Sequence, residues 1–183
     1  MYSEFDLEGN IMSAIALIVL TRAIHVLMGI IWAGSTFLLG LVIMPIAVRY
    51  GQEGAGRWVG VIAQRVGPLS GVSALLTILS GIYLFASLHA HDDSMSGLVL
   101  KAGAMAALLS LAVGFFVGRP TAINLAKLSE QSSVATTTEI ATQLSHRGVQ
   151  LRRRAALSSG FAVILLGLAV LAMAAFQYVS ALA

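Results

Sequence analysis

Four apolar runs, near residues 23–48, 69–90, 98–118 and 155–179, constrain this chain more than any other feature. Each is about the ~20 residues an α-helix needs to cross a ~30 Å hydrocarbon core. Lipid offers no partner for a bare backbone N–H or C=O, so a spanning segment closes its hydrogen bonds as a helix or within a sealed barrel. Barrel strands would read as alternating segments of about ten residues, and these runs do not alternate. With 10% charged residues and a mean hydropathy of +0.90, the chain is far from a soluble globule. The expectation is an all-α integral membrane four-helix bundle, a single domain over residues 1–183.

Charge orients it. Arg49, Arg57 and Arg65 lie between the first two runs, and Arg119, Lys127, Arg147, Arg152, Arg153 and Arg154 between the last two. Only Arg22 and Lys101 fall on the other side, which also carries Glu4, Asp6, Glu8, Asp92 and Asp93. The positive-inside rule then puts both termini and the loop between runs two and three on the non-cytoplasmic side of a bacterial inner membrane. The acidic start lacks the basic head of a signal peptide and reads as mature protein. A net charge of +3 so distributed points to topology and the lipid bilayer, and gives no nucleic-acid signal. With no cysteine, disulfides, thiolate metal sites and covalent haem attachment are excluded.

Between runs one and two, residues 52–66 mix apolar and basic side chains as an interfacial helix would, and Gly67-Pro68 marks a break before the second span. The short "HAHDDSMSG" loop makes spans two and three antiparallel neighbours. Thr136 followed by Glu139 has capping-box spacing, so the last helix starts well before its apolar run. No internal repeat stands out. Gly29, Ala33, Gly34, Gly40, Gly114, Gly118, Gly160 and Gly167 let backbones approach closely. Packing within the bundle, a homodimer seam or docking on a larger membrane complex would all use them alike.

His25, one turn beyond Arg22, is an ionisable residue at the head of a span and a functional hypothesis by default; a histidine solvated at the headgroups is the bland alternative. Trp32, two turns on, faces the same side. With Gly29 and Ala33, that face could cradle a flat macrocycle or pack a helix. Lys101 opens the third span at a similar depth. It either snorkels toward Asp92 or Asp93, or meets a carboxylate or a proton path. His89, His91, Asp92 and Asp93, with His25, form a nitrogen/oxygen set suited to copper or zinc, though loop histidines are more often solvated. His146 reads as an ordinary polar residue.

"AIHVLMGIIWAGSTFLLG" resembles the first-helix signature of the small four-helix membrane proteins that include HemJ-type protoporphyrinogen oxidases. "GPLSGVSALLTILSGIYL" is similar to that group's second helix and "GLVLKAGAMAALL" to its third. The resemblance implies His25 as an axial ligand of a b-type haem, with Trp32, Gly29 and Ala33 beside it, and Lys101 as the essential lysine. It departs at "RRRAALSSGFAVILLG", where the family's fourth helix opens with Arg, Asn, Glu and Pro, and at "VIMPIAVRYG", where a tyrosine- and arginine-bearing end belongs. More loosely, the chain is similar to the membrane domain of CopD copper-resistance proteins. The functional expectation is a haem b redox protein acting in electron transfer or porphyrinogen oxidation. The alternatives are copper handling through His25, His89 and His91, and a non-catalytic accessory subunit.

Overall fold

The computed structural model describes residues 4–50, 55–133 and 138–179, and every regular element in them is helical. α1 (Glu4–Phe37) passes through a π-helical turn (Leu38–Ile43) into α2 (Met44–Tyr50). After α3 (Ala55–Leu88) and α4 (Met95–Val113), a second π turn (Gly114–Gly118) leads into α5 (Arg119–Ser133), and α6 covers Thr138–Val179. Four stretches, Gly9–Arg49, Arg65–Leu88, Met95–Leu128 and Gln143–Val179, are long and apolar enough to cross a membrane, as in a multi-pass membrane protein.

Each π turn ends two residues before a proline, Pro45 or Pro120. A helical proline has no N–H to donate, and its ring presses on the carbonyl four residues back. The extra residue of a π turn shifts the register: Met44 N–H donates to the Leu39 carbonyl and Arg119 N–H to that of Gly114, five residues back in both cases. The rod stays continuous through each proline.

Pro68 behaves differently from the sequence expectation. Residues 55–88 form one helix with Pro68 inside it, so there is no break at Gly67-Pro68 and no separate interfacial helix. The ring lies on the exposed side of α3 and removes a single ladder bond. α3 is held on both sides of it, by α2 and α5 at one end and by α1 along the other. α6 is helical well ahead of its apolar run, as expected, while the proposed Thr136 cap lies outside the described residues.

The helices pack as two hairpins, α1 against α3 and α4 against α6, each with a π turn and a proline in its first arm, so the short turn between α3 and α4 does not make those two spans the packed neighbours its length suggested. This shared plan is not visible as a sequence repeat. The hairpins meet around Trp32, only 5% exposed, with Ala74, Ala107, Leu166 and Ala169 about it. Two glycines set the closest approaches to α6. A Cβ on Gly40 would stand 2.5 Å from Val163 Cγ2 and 3.2 Å from the Ser159 carbonyl, and one on Gly103 2.7 Å from Ala172 Cβ. Ser110 Oγ donates across the second hairpin to the Ala162 carbonyl at 2.9 Å. A Cβ on Gly34, Gly114, Gly160 or Gly167 would meet nothing within 4 Å, so none of these four sets a close approach among the described residues.

Candidate functional site

Within the apolar run of α3 lies a buried polar stripe, Ser73, Thr77 and Ser80. Their spacing of four and then three residues keeps them on one helix face. Each hydroxyl donates back along its own helix, Ser73 to the Leu69 carbonyl at 2.7 Å, Thr77 to Ser73 at 2.7 Å and Ser80 to Leu76 at 2.6 Å.

His25 docks on this stripe. Its Nδ1 lies 2.8 Å from the Thr77 carbonyl and 3.2 Å from Ser80 Oγ. A carbonyl oxygen only accepts, so the ring hydrogen is on Nδ1. In the neutral imidazole, Nε2 then keeps its lone pair. Nε2 has no partner among the described residues, and no buried side-chain nitrogen or oxygen there goes unpartnered, so Nε2 reaches the surface of the half-buried ring. A histidine tied through one nitrogen to a backbone carbonyl, with the other free, has the polarity of a metal-ligating imidazole.

Trp32 shares the stripe with His25, as their spacing requires, but fills the bundle centre. Ala33 packs against the same core, and a Cβ on Gly29 would stand 3.7 Å from Thr77 Cγ2. Trp32 thus belongs to the centre where the hairpins meet, with Ala33 packed against that centre and Gly29 facing Thr77 on α3.

Lys101 is on the other hairpin. It and His25 each lie thirteen residues ahead of their helix's π turn, which keeps them at matching positions along the two first arms. They do not touch. Lys101 Nζ, on a side chain 34% exposed, pairs with Asp93 Oδ1 at 2.9 Å. This is the carboxylate pairing weighed from sequence.

The α3–α4 turn is organised by its own polar groups. Asp92 Oδ1 accepts from Ser94 N–H at 3.0 Å and from Ser94 Oγ at 2.5 Å, while Ser94 caps α4 by accepting from Gly97 N–H at 3.2 Å. The bonds from Ser94 hold the Asp92 carboxyl below its usual range, with His89 and Lys101 adding lesser attraction. His89 is half-buried, its ring 5.6 Å from that of Phe176 and edge-on to it; His91 and His146 are exposed. Among the described residues, no three His, Asp or Glu side chains converge as a metal site would need, so His25, His89 and His91 are not brought together.

The sequence reading missed Thr77, Ser80 and Gly81. The available signal was the S-x-x-x-T-x-x-S-G run in an apolar span, whose hydroxyls mark the helix face turned to a neighbour. Comparison of the chain with protein-family models, with curated proteins and with solved structures gives no match.

Proposed function

We propose that the chain is a membrane-embedded redox protein that takes one b-type haem on Nε2 of His25. The observation that carries this reading is the imidazole itself, with Nδ1–H on the Thr77 carbonyl and Nε2 without a partner, in a span where an unused histidine gains nothing. The resemblance of residues 23–40 to the HemJ-type first helix supports the same assignment. When bound, haem iron supplies one-electron chemistry at a potential set by its axial ligand and surroundings. The chain's own residues do the rest. Thr77 and Ser80 fix the ring, Gly29 lets α1 lie close to α3 beside it, Trp32 and Ala33 pack the centre behind it, and the apolar spans exclude water. Lys101 would serve a carboxylate-bearing ligand, which must displace Asp93 from the same amine.

Nine of eleven basic residues lie toward the α2–α3 and α5–α6 connections. The proposal therefore includes a bacterial inner-membrane location with that end cytoplasmic. Absorption spectra of the detergent-purified protein, oxidised and dithionite-reduced, test the reading. A Soret band with a sharpened α band on reduction is expected, lost in His25→Ala; a colourless protein that also takes up no added hemin overturns it.

One observation favours a second reading, an accessory subunit. With His25 level with Thr77 to Gly81, α1 outruns the end of α3 by about a dozen residues, or ~18 Å. The apolar side chains there, Ile11, Met12 and Ile15 among them, are exposed. Co-purification of a stoichiometric membrane partner, lost when residues 4–15 are deleted, would mark that role.

A further inference from the structure

We infer that Gly81, Ser80 and the Thr77 carbonyl form a positioning seat that fixes which nitrogen of His25 is offered as a donor atom. The inference rests on the haem reading only for the identity of what Nε2 meets.

The seat is built from helix stereochemistry. Each Cα–Cβ bond on an α-helix tilts toward the N-terminus, so the side chain at position i+4 leans over the carbonyl of residue i. Residue 81 holds that position over Thr77. Because it is glycine, the Thr77 oxygen stays open to a donor from another helix, and the imidazole of His25 occupies the vacant volume. A Cβ on Gly81 would lie 2.9 Å from Cε1 and 3.2 Å from Nδ1 of His25, which no unshifted ring tolerates. Glycine at 81 is thus required by the ring and not by general packing. Gly71, on the same helix, would meet nothing within 4 Å.

Ser80 supplies the second constraint. Its hydroxyl hydrogen is directed at the Leu76 carbonyl at 2.6 Å, with the Thr77 carbonyl at 3.1 Å, which leaves its lone pairs for Nδ1–H at 3.2 Å. Two acceptors, one carbonyl and one hydroxyl, therefore bracket a single ring hydrogen. The opposite tautomer would set a lone pair on Nδ1 against the Thr77 oxygen 2.8 Å away, a repulsive contact. The outcome is a ring held edge-in on α3 with Nε2 outward. A partner of this kind orients a ligating imidazole and raises its basicity, and its loss typically weakens metal affinity by roughly 10- to 100-fold.

The test uses the full chain in detergent, prepared without haem, as wild type, His25→Ala, Gly81→Ala, Ser80→Ala, Ser80→Thr and Gly71→Ala. Two measurements are made on each: side-chain ¹⁵N NMR of the histidines, with His25→Ala identifying the signal, and hemin titration followed at the Soret band. The inference expects wild-type His25 to read as protonated on Nδ1 and bare on Nε2. Gly81→Ala should erase that signature and weaken hemin binding about tenfold or more. Ser80→Ala should weaken it less, Ser80→Thr should restore it, and Gly71→Ala should match wild type. Wild-type His25 protonated on Nε2 alone overturns the inference, as does a folded Gly81→Ala protein with unchanged tautomer and affinity. Should Gly81→Ala fail to fold, the Ser80→Ala and Ser80→Thr pair decides. If wild type takes up no hemin, the haem reading falls. The NMR then decides the seat by itself, supporting it if the Gly81 and Ser80 variants shift the tautomer and overturning it if they do not.

Discussion

Trp32 and His25 are two turns apart on one stripe of α1, yet one fills space while the other meets hydrogen-bond acceptors. For helices that span a bilayer, removing a core side chain forfeits packing contacts without the full transfer term felt in water, since lipid tails are as apolar as the core. Trp32→Ala should therefore lower stability by about 3 kcal/mol, the bottom of the range for buried large-to-small changes, read as an earlier unfolding midpoint in denaturing detergent. Ser110→Ala removes one interhelical hydrogen bond and should cost only about 0.6 kcal/mol by the same measurement. The Lys101–Asp93 pair has an Asp93 side chain 91% exposed. Solvent screening keeps it at about 1 kcal/mol or less, so Asp93→Asn should leave the midpoint nearly unchanged. Lys101 then stays available to an exchanging carboxylate.

Glycines and prolines act on whole helices here, through approach and register. Gly40→Leu places a side chain where Val163 and the Ser159 carbonyl already stand, and should separate the first rod from α6. Gly160→Leu faces open space and should leave stability within about 0.5 kcal/mol, as at a site without neighbours. A midpoint loss for the first and none for the second, in one detergent, is the expected pattern. The start of α4 adds a pH dependence. Asp92 holds its proton less tightly folded than unfolded, because Ser94 donates to the carboxylate. Its contribution is complete above the unfolded value near 3.8 and fades as pH falls through the lower folded value. Stability should be flat from this group between pH 5 and 8 and decline in stronger acid. Asp92→Asn, which keeps an acceptor but cannot titrate, should blunt that decline in an acid titration followed by circular dichroism.

The whole molecule is two helical hairpins joined at a small-residue core, with helices longer than a bilayer is thick. At 1.5 Å per residue, α3 is about 51 Å long and α6 about 63 Å, against a hydrocarbon core near 30 Å. Their excess lies toward the α5–α6 connection, where α2, α3, α5 and α6 continue to pack and most basic residues sit. The excess of α1 lies at the opposite end. The absence of cysteine makes topology directly measurable. His91→Cys, in the α3–α4 turn, and Gln131→Cys, in α5, are exposed positions. In intact cells an impermeant thiol reagent should label the first and spare the second. The reverse pattern would invert the proposed orientation.

The apolar runs alone determined the all-α class and its four span-length helices, because a spanning backbone in lipid has no alternative to internal hydrogen bonding and residue counts reveal each such run. The Asp92/Asp93 choice for Lys101 was legible too, since a long flexible amine near a helix start reaches only the carboxylates of the adjoining turn. The partner of His25 was not legible. Periodicity gives the stripe a residue occupies on its own helix but not which helix covers that stripe. The pairing of α1 with α3 set the ring on Thr77 and Ser80, while Lys101 on the other hairpin pairs with Asp93. Gly81 looked like any other small residue until the ring lay against it. Pro68 looked like a helix end, yet contacts on both sides carried the helix through it. Local chemistry sets what each helix is, and contacts between residues distant in sequence decide what its polar groups meet.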